Sequence, residues 1–200
     1  MNLPNKLTAS RFVMTVLFLC CVFGQFSYHH TLGLGLFCLA GVTDYLDGHI
    51  ARARHLITNF GILMDPLADK ILTCSAFIAF VESTHLNPAA PVKLAAWMVV
   101  IIVSRELAIT GLRLLAASKN VVLAAERYGK HKTAWQLISI IALLVVDAQP
   151  EWPAWLQQFF LYRGWSPAFA VFSLWVTVIL TALSGAIYLW RNRALYLEDV

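Results

Sequence analysis

The stretch Asp44–Lys70, DYLDGHIARARHLITNFGILMDPLADK, holds four aspartates and two arginines in a chain that is 60% hydrophobic and only 13% charged. Its spacing decides how the surrounding apolar sequence folds. Asp44 and Asp47 are three residues apart and Asp65 and Asp69 four apart, so each pair falls on one face of a helix. The two helices meet at a joint near Leu56. Asp47 lies nine residues before that joint and Asp65 nine after it; Asp44 lies twelve before and Asp69 thirteen after. In an antiparallel hairpin the acids therefore face each other at matched depths. The inner pair sits about 13 Å from the joint, at about 1.5 Å per residue.

Outward from this hairpin the sequence is oily. Mean hydropathy is +0.69, too high for an ordinary soluble domain. Apolar blocks at about 7–26, 31–53, 61–82, 92–118, 130–148 and 167–190 each approach the roughly 20 residues that cross a bilayer. They lack the period-2 alternation of barrel strands. The expected fold is an all-α integral membrane protein: a bundle of six transmembrane helices in one domain, 1–200, with a short N-terminal interfacial amphipathic helix in NLPNKLTASR (2–11). The first helix is expected to remain uncleaved, since no small-residue cleavage site follows it. Turns are expected at Gly24–Thr31 and Glu82–Pro91, and an interfacial helix within Asp147–Pro167, where Trp152, Trp155, Tyr162 and Trp165 suit the headgroup layer.

The net charge of +4 reads as topology rather than as nucleic-acid binding. Lys6, Arg11, Arg52, Arg54, Arg113, Lys119, Arg127, Lys130, Lys132, Arg191 and Arg193 fall at one set of helix ends, and only Lys93 and Arg163 at the other. The positive-inside rule then puts both termini and the acidic hairpin on the cytoplasmic side of the membrane. Cys20, Cys21, Cys38 and Cys74 sit in apolar blocks without zinc-type spacing and are expected to act as small hydrophobes.

Ionised carboxylates beside a bilayer need a positive partner. Four hard-oxygen donors suit Mg2+ or Mn2+, and they are enough to share between two ions that hold phosphates. Gly41, Gly48, Ala51, Gly61 and Ala68 would let a ligand approach the backbone. Arg52 and Arg54 become candidate phosphate partners. The tamer roles are close helix packing for the small residues and snorkelling for the arginines. A cation transporter would need its acids to continue across the membrane. No Asp or Glu lies in the outer half of helices one, two, five or six, apart from Asp147 at an edge.

The pattern D-x-x-D-G-x-x-A-R-x8-G-x-x-x-D-x-x-x-D, filled by Asp44, Asp47, Gly48, Ala51, Arg52, Gly61, Asp65 and Asp69 without departure, resembles the signature of the CDP-alcohol phosphatidyltransferases. NLPNKLTASR, MDPLADK, SRELAITGLR and YGKHKTAWQ extend the resemblance over most of the chain, more weakly after Trp135. They are similar to the members that use sn-glycerol 3-phosphate.

The resemblance implies a six-helix membrane domain, commonly a homodimer, in the bacterial inner membrane. It implies transfer of a phosphatidyl group from CDP-diacylglycerol to an alcohol with release of CMP. It also assigns roles. Asp44, Asp47 and Asp65 would bind one metal and Asp44, Asp65 and Asp69 a second, with Asp69 as general base. Asp44, Gly48, Ala51, Arg52 and Gly61 would line the CDP site, with Asn5 and Thr8 at the cytidine end; helix capping is the other role open to those last two.

A phosphorylated acceptor needs its own cations. Arg105 and Arg113, eight apart, fall on nearly one helix face, and Lys130 and Lys132 open the next helix. For Arg105 a contact with Glu106 or with lipid is the competing role. The acceptors compatible with the motif alone also include inositol phosphate, serine and phosphatidylglycerol.

Overall fold

The computed structural model describes residues 3–54, 59–86, 90–119, 127–161, 164–193 and 195. Among the described residues every element is helical. Six long helices run α1 (Leu3–Val22), α2 (His29–Arg54), α3 (Asn59–Leu86), α4 (Ala96–Ser118), α5 (Arg127–Ala148) and α7 (Trp165–Arg191). A single 3-10 turn, Gln149–Glu151, and the short α6 (Ala154–Leu161) separate the last two. Each long helix overlaps one apolar block of the sequence. The joint near Leu56 and the segments 87–89 and 120–126 lie outside the described residues, as do Tyr162 and Arg163.

Three boundaries differ from the sequence reading. Leu3–Val22 is one continuous helix, so the N-terminal stretch joins α1 without a break. α3 runs on to Leu86, past the turn expected from Glu82. Glu82, Ser83 and Thr84 do not themselves break a helix; the first breaker is Pro88, and helices end at or before the residue preceding a proline. α2 starts at His29, inside the expected Gly24–Thr31 turn.

That early start has a tertiary cause. The first backbone N–H groups of a helix lack intrahelical partners. Here Glu151, about 120 residues along the chain, accepts from the backbone N–H of His30 (2.9 Å) and of Thr31 (2.8 Å), and from the Thr31 hydroxyl (2.6 Å). Trp152 Nε1 donates to the same hydroxyl. The turn that follows α5 is thereby tied to the start of α2.

The helices pack as α1 on both α2 and α3, α5 on α2 and α7, and α4 on α3 and α7. α4 and α7 run parallel: Trp97 meets Trp175, Arg105 meets Ser184, Arg113 meets Tyr188 and Lys119 meets Leu195. The core collects Phe18, Phe37, Phe77, Phe80, Ile102, Ile140, Leu144 and Leu174.

α7 shows what kind of solvent this bundle suits. Its buried face carries Ser173, Thr177, Thr181, Ser184 and Gly185, while Phe172, Trp175, Ile179, Leu183 and Ile187 point outward. Small and polar groups inside with large apolar groups outside is the arrangement expected in lipid. Thr177 satisfies itself by donating to the Trp135 carbonyl on α5, at 2.9 Å. Among the described residues, His131–Glu151 and Trp165–Arg191 are long and apolar enough to cross a membrane. The molecule is an all-helical protein with two candidate membrane spans, consistent with a membrane protein. Gly164, at φ +67°, turns the chain from α6 into α7 in a conformation that favours glycine.

Candidate active site

The motif residues fall where two helices join. Asp44, Asp47, Gly48, Ala51 and Arg52 lie in the last turns of α2; Gly61, Asp65 and Asp69 lie in the first turns of α3. Asn5 and Thr8 lie in the first turns of α1, and the reversal at 23–28 brings that end of α1 back to the α2–α3 end of the bundle. The side chains of Asn5, Thr8, Asp44, Asp47, Gly48, Ala51, Arg52, Gly61, Asp65, Asp69 and Lys130 lie outside the described residues. The carboxylate cage expected from their spacing therefore rests on helix register alone.

What the structure resolves beside them is a buried ionic cluster. Glu106, the one acid of α4, is 5% exposed. Its Oε2 lies 3.2 Å from Lys70 Nζ on α3. Its Oε1 meets Lys132 Nζ on α5, lies 3.4 Å from Arg105 Nη1, and accepts from Gln136 Nε2 at 3.4 Å. Lys132 is 2% exposed. Donors from three helices converge on one carboxylate, which is how a buried charge is kept from an uncompensated desolvation cost.

The sequence-predicted acceptor cations separate in this frame. Arg105 and Lys132 are brought together at Glu106. Arg105 also donates to Ser184 Oγ at 3.3 Å, and its aliphatic stem lies across Gly185, where an added Cβ would come within 2.7 Å of Arg105 Cγ. Arg113 is exposed, two turns further along α4; its Nε donates to Tyr188 Oη at 3.4 Å and its guanidinium lies 5.7 Å from that ring's centre. The Arg105–Glu106 contact weighed from the sequence does form, but as one spoke of a larger cluster.

Lys70, Gln136, Ser184 and Tyr188 were not singled out in the sequence, and Glu106 entered only as a partner of Arg105. One signal was available: a lone acid inside the apolar run Ala96–Ser118 must find cations. Which cations it finds is tertiary information.

Among the described residues, one other group could converge on a cation: His29, His30 and Glu151, at the opposite end of α2 from the aspartates. Glu151 there is engaged with the α2 backbone, and His29 Nδ1 lies 3.1 Å from the Cys21 carbonyl. Apart from the carboxylate Glu151, this group lacks the all-oxygen character of the aspartate set.

Comparison with known proteins joins these features. The sequence pattern of a family described as CDP-alcohol phosphatidyltransferase matches residues 1–183. The chain belongs to the CDP-alcohol phosphatidyltransferase family.

Among its curated relatives, a Bacillus subtilis protein is 38% identical, with 96% of this chain and 95% of the relative covered. One from Rickettsia felis is 28% identical over 94% and 93%, and one from Haemophilus influenzae 27% identical over 100% and 97%. Each of the three is named CDP-diacylglycerol–glycerol-3-phosphate 3-phosphatidyltransferase.

Proposed function

We propose that this chain transfers the phosphatidyl group of CDP-diacylglycerol to sn-glycerol 3-phosphate, giving phosphatidylglycerol phosphate and CMP. The observation that carries the reading is the cation cluster of Lys70, Arg105 and Lys132. It begins one residue beyond Asp69, at the end of the motif. An acceptor with a phosphate of its own needs such a cluster; an acceptor of zero net charge does not. The names of the full-length relatives support the same acceptor.

The residues divide the work as follows. Asp44, Asp47, Asp65 and Asp69 offer only carboxylate oxygens, a donor set that fits two Mg2+ or Mn2+ ions. Ions held there would neutralise the pyrophosphate of CDP-diacylglycerol and draw electron density from the phosphorus under attack. Asn5, Thr8, Asp44, Gly48, Ala51, Arg52 and Gly61 line the path of the nucleotide. Small side chains admit the CDP moiety against the backbone, and Arg52 pairs with a phosphate.

Arg105, Arg113, Lys130 and Lys132 hold the acceptor's phosphate. Asp69 takes the proton from the acceptor hydroxyl as its oxygen attacks the phosphorus in line. One P–O bond forms to the acceptor, the P–O bond to CMP breaks, and CMP leaves with the electron pair.

The molecule acts as a single membrane domain over 1–200, crossing the bilayer six times and paired as a homodimer. Both termini and the active site face the cytoplasm. Acyl chains stay in the lipid while the polar head meets the helix ends. Large outward-facing side chains such as Val100, Leu107, Phe172 and Ile179 fit that setting.

The test is CMP release from CDP-diacylglycerol by purified protein in detergent, with Mg2+ or EDTA and with or without glycerol 3-phosphate, beside an Asp69→Asn variant. Release should require metal and acceptor, and the variant should lose about a hundredfold or more, the share of a positioned base. Release indifferent to glycerol 3-phosphate would transfer the reading to another acceptor. Absence of release from folded protein would remove the transferase reading.

A further inference from the structure

We propose that His29, His30 and Glu151 form a Zn2+ site at the end of α2 opposite the aspartates, where the ion clasps the start of α2 to the turn that follows α5. The proposal stands apart from the transferase reading, since none of its residues belongs to the motif.

The ligating atoms of the three residues lie within 4.8 Å of one another. His29 Nε2 is 3.9 Å from Glu151 Oε1, too far for a direct hydrogen bond. At zinc's bond lengths of roughly 2.0–2.2 Å, two ligands of a tetrahedral ion lie about 3.4 Å apart. Small side-chain rotations therefore close these atoms around one ion. Consecutive side chains on a helix do not face each other, yet the rings of His29 and His30 have their centres only 3.9 Å apart. Both are turned toward one carboxylate.

The hydrogen bonds around the group leave the right lone pairs free. His29 Nδ1 lies 3.1 Å from the carbonyl oxygen of Cys21 on α1. A carbonyl only accepts, so Nδ1 carries the hydrogen and the neutral ring keeps the Nε2 lone pair on the side of Glu151. A metal-bound histidine ordinarily donates its other N–H to a carbonyl or carboxylate in this way, which fixes the direction of the ring. Among the described residues, Glu151 Oε2 accepts from the backbone N–H and the hydroxyl of Thr31, and Oε1 accepts from the His30 N–H. Oε1 thus retains a second lone pair, and it is the oxygen nearer His29 Nε2. An ion pair between protonated His29 and Glu151 is the competing account. It would leave its two charged groups 3.9 Å apart and stack a second imidazole on the charged ring.

Two imidazoles and one carboxylate are a Zn2+ donor set, whereas Mg2+ takes oxygen ligands. Water or a donor outside the described residues completes the four-coordinate shell. Held there, the ion would join α1, through the Cys21 carbonyl, to α2 and to the turn after α5.

The experiment uses the full chain in detergent, free of any histidine tag, stripped with EDTA and returned to excess Mg2+ to compete for the aspartates. Zn2+ retained per chain is measured by elemental analysis after gel filtration, and Tm by thermal unfolding with and without Zn2+. His29→Ala and His30→Ala each remove one imidazole and leave the Glu151 carboxylate in place. The parent should retain one Zn2+ per chain more than either variant. At about a hundred times its Kd, Zn2+ should raise the parent's Tm by about 5 °C and leave that of the variants unmoved.

Equal retention by the parent and the folded variants, a parent that retains no Zn2+, or the same Tm shift in all three overturns the proposal. If neither variant folds, Co2+ added to the parent in the same buffer decides. The intense visible absorption of four-coordinate Co2+ sustains the proposal, and the weak spectrum of six-coordinate Co2+ on oxygen ligands overturns it.

Discussion

Glu106 and Glu151 are carboxylates set against apolar helices, and each draws partners from across the fold. Glu106 gathers side-chain cations; Glu151 gathers backbone N–H groups at the start of α2. Glu151→Ala removes three acceptor contacts from that start. It should lower stability by about 1–2 kcal/mol, as loss of a helix cap does. Unfolding of the purified protein by heat or denaturing detergent would measure it, and CMP release well below the transition should be unaffected, since the site lies at the other end of α2. A variant as stable as the parent would show that water replaces the cap without cost.

The placement of the four aspartates on the end of one helix and the start of the next was legible at this scale, because charge spaced at helical intervals marks a helix face. The partners of Glu106 were not. Lys70 lies 36 residues before it and Lys132 26 residues after it (106 − 70 and 132 − 106), and no local pattern links such distances.

At the scale of elements, the packing of α4 on α7 depends on Gly185. Arg105 crosses α7 over that residue, and a methyl group there would meet the middle of the arginine stem at 2.7 Å, not its free end. Gly185→Ala should therefore cost about 1–3 kcal/mol, the usual penalty of overpacking. It should also weaken acceptor binding as Arg105 is displaced. Thermal unfolding and acceptor KM together would check this; an unaltered KM would mean that the stem shifts while the guanidinium stays in place.

Long helices were readable from apolar blocks, since a run near 20 residues leaves little choice of element. Their ends were less so. α3 passes Glu82 because nothing before Pro88 stops it, and α2 begins early because its cap comes from another part of the chain. Gly185 was missed for a related reason: a glycine in an apolar helix looks the same whether it faces lipid or an arginine.

At the scale of the whole molecule, the inside-out character of α7 and the uneven spread of cations suggest one orientation. Lys93 and Lys119 are both exposed and flank opposite ends of α4. In a chain whose native cysteines are first replaced, Lys93→Cys should react with a membrane-impermeant thiol reagent on intact spheroplasts. Lys119→Cys should react only after the membrane is opened. The reverse pattern would invert the topology inferred from positive charge. The prediction rests on eleven cations at one set of ends against two at the other, a bias read over the whole chain rather than at any one loop. How the six helices pair was not legible, since apolar faces of similar composition fit many neighbours.

The bond between Glu151 and the start of α2 also bears on how the chain is made. Synthesis at about 5–20 residues per second separates Thr31 from Glu151 by roughly 6–24 s. During that interval the head of α2 lacks its cap. These contacts close an early helix with a late residue, so a chain that stops between Asp69 and Glu151 carries all four aspartates but no latch.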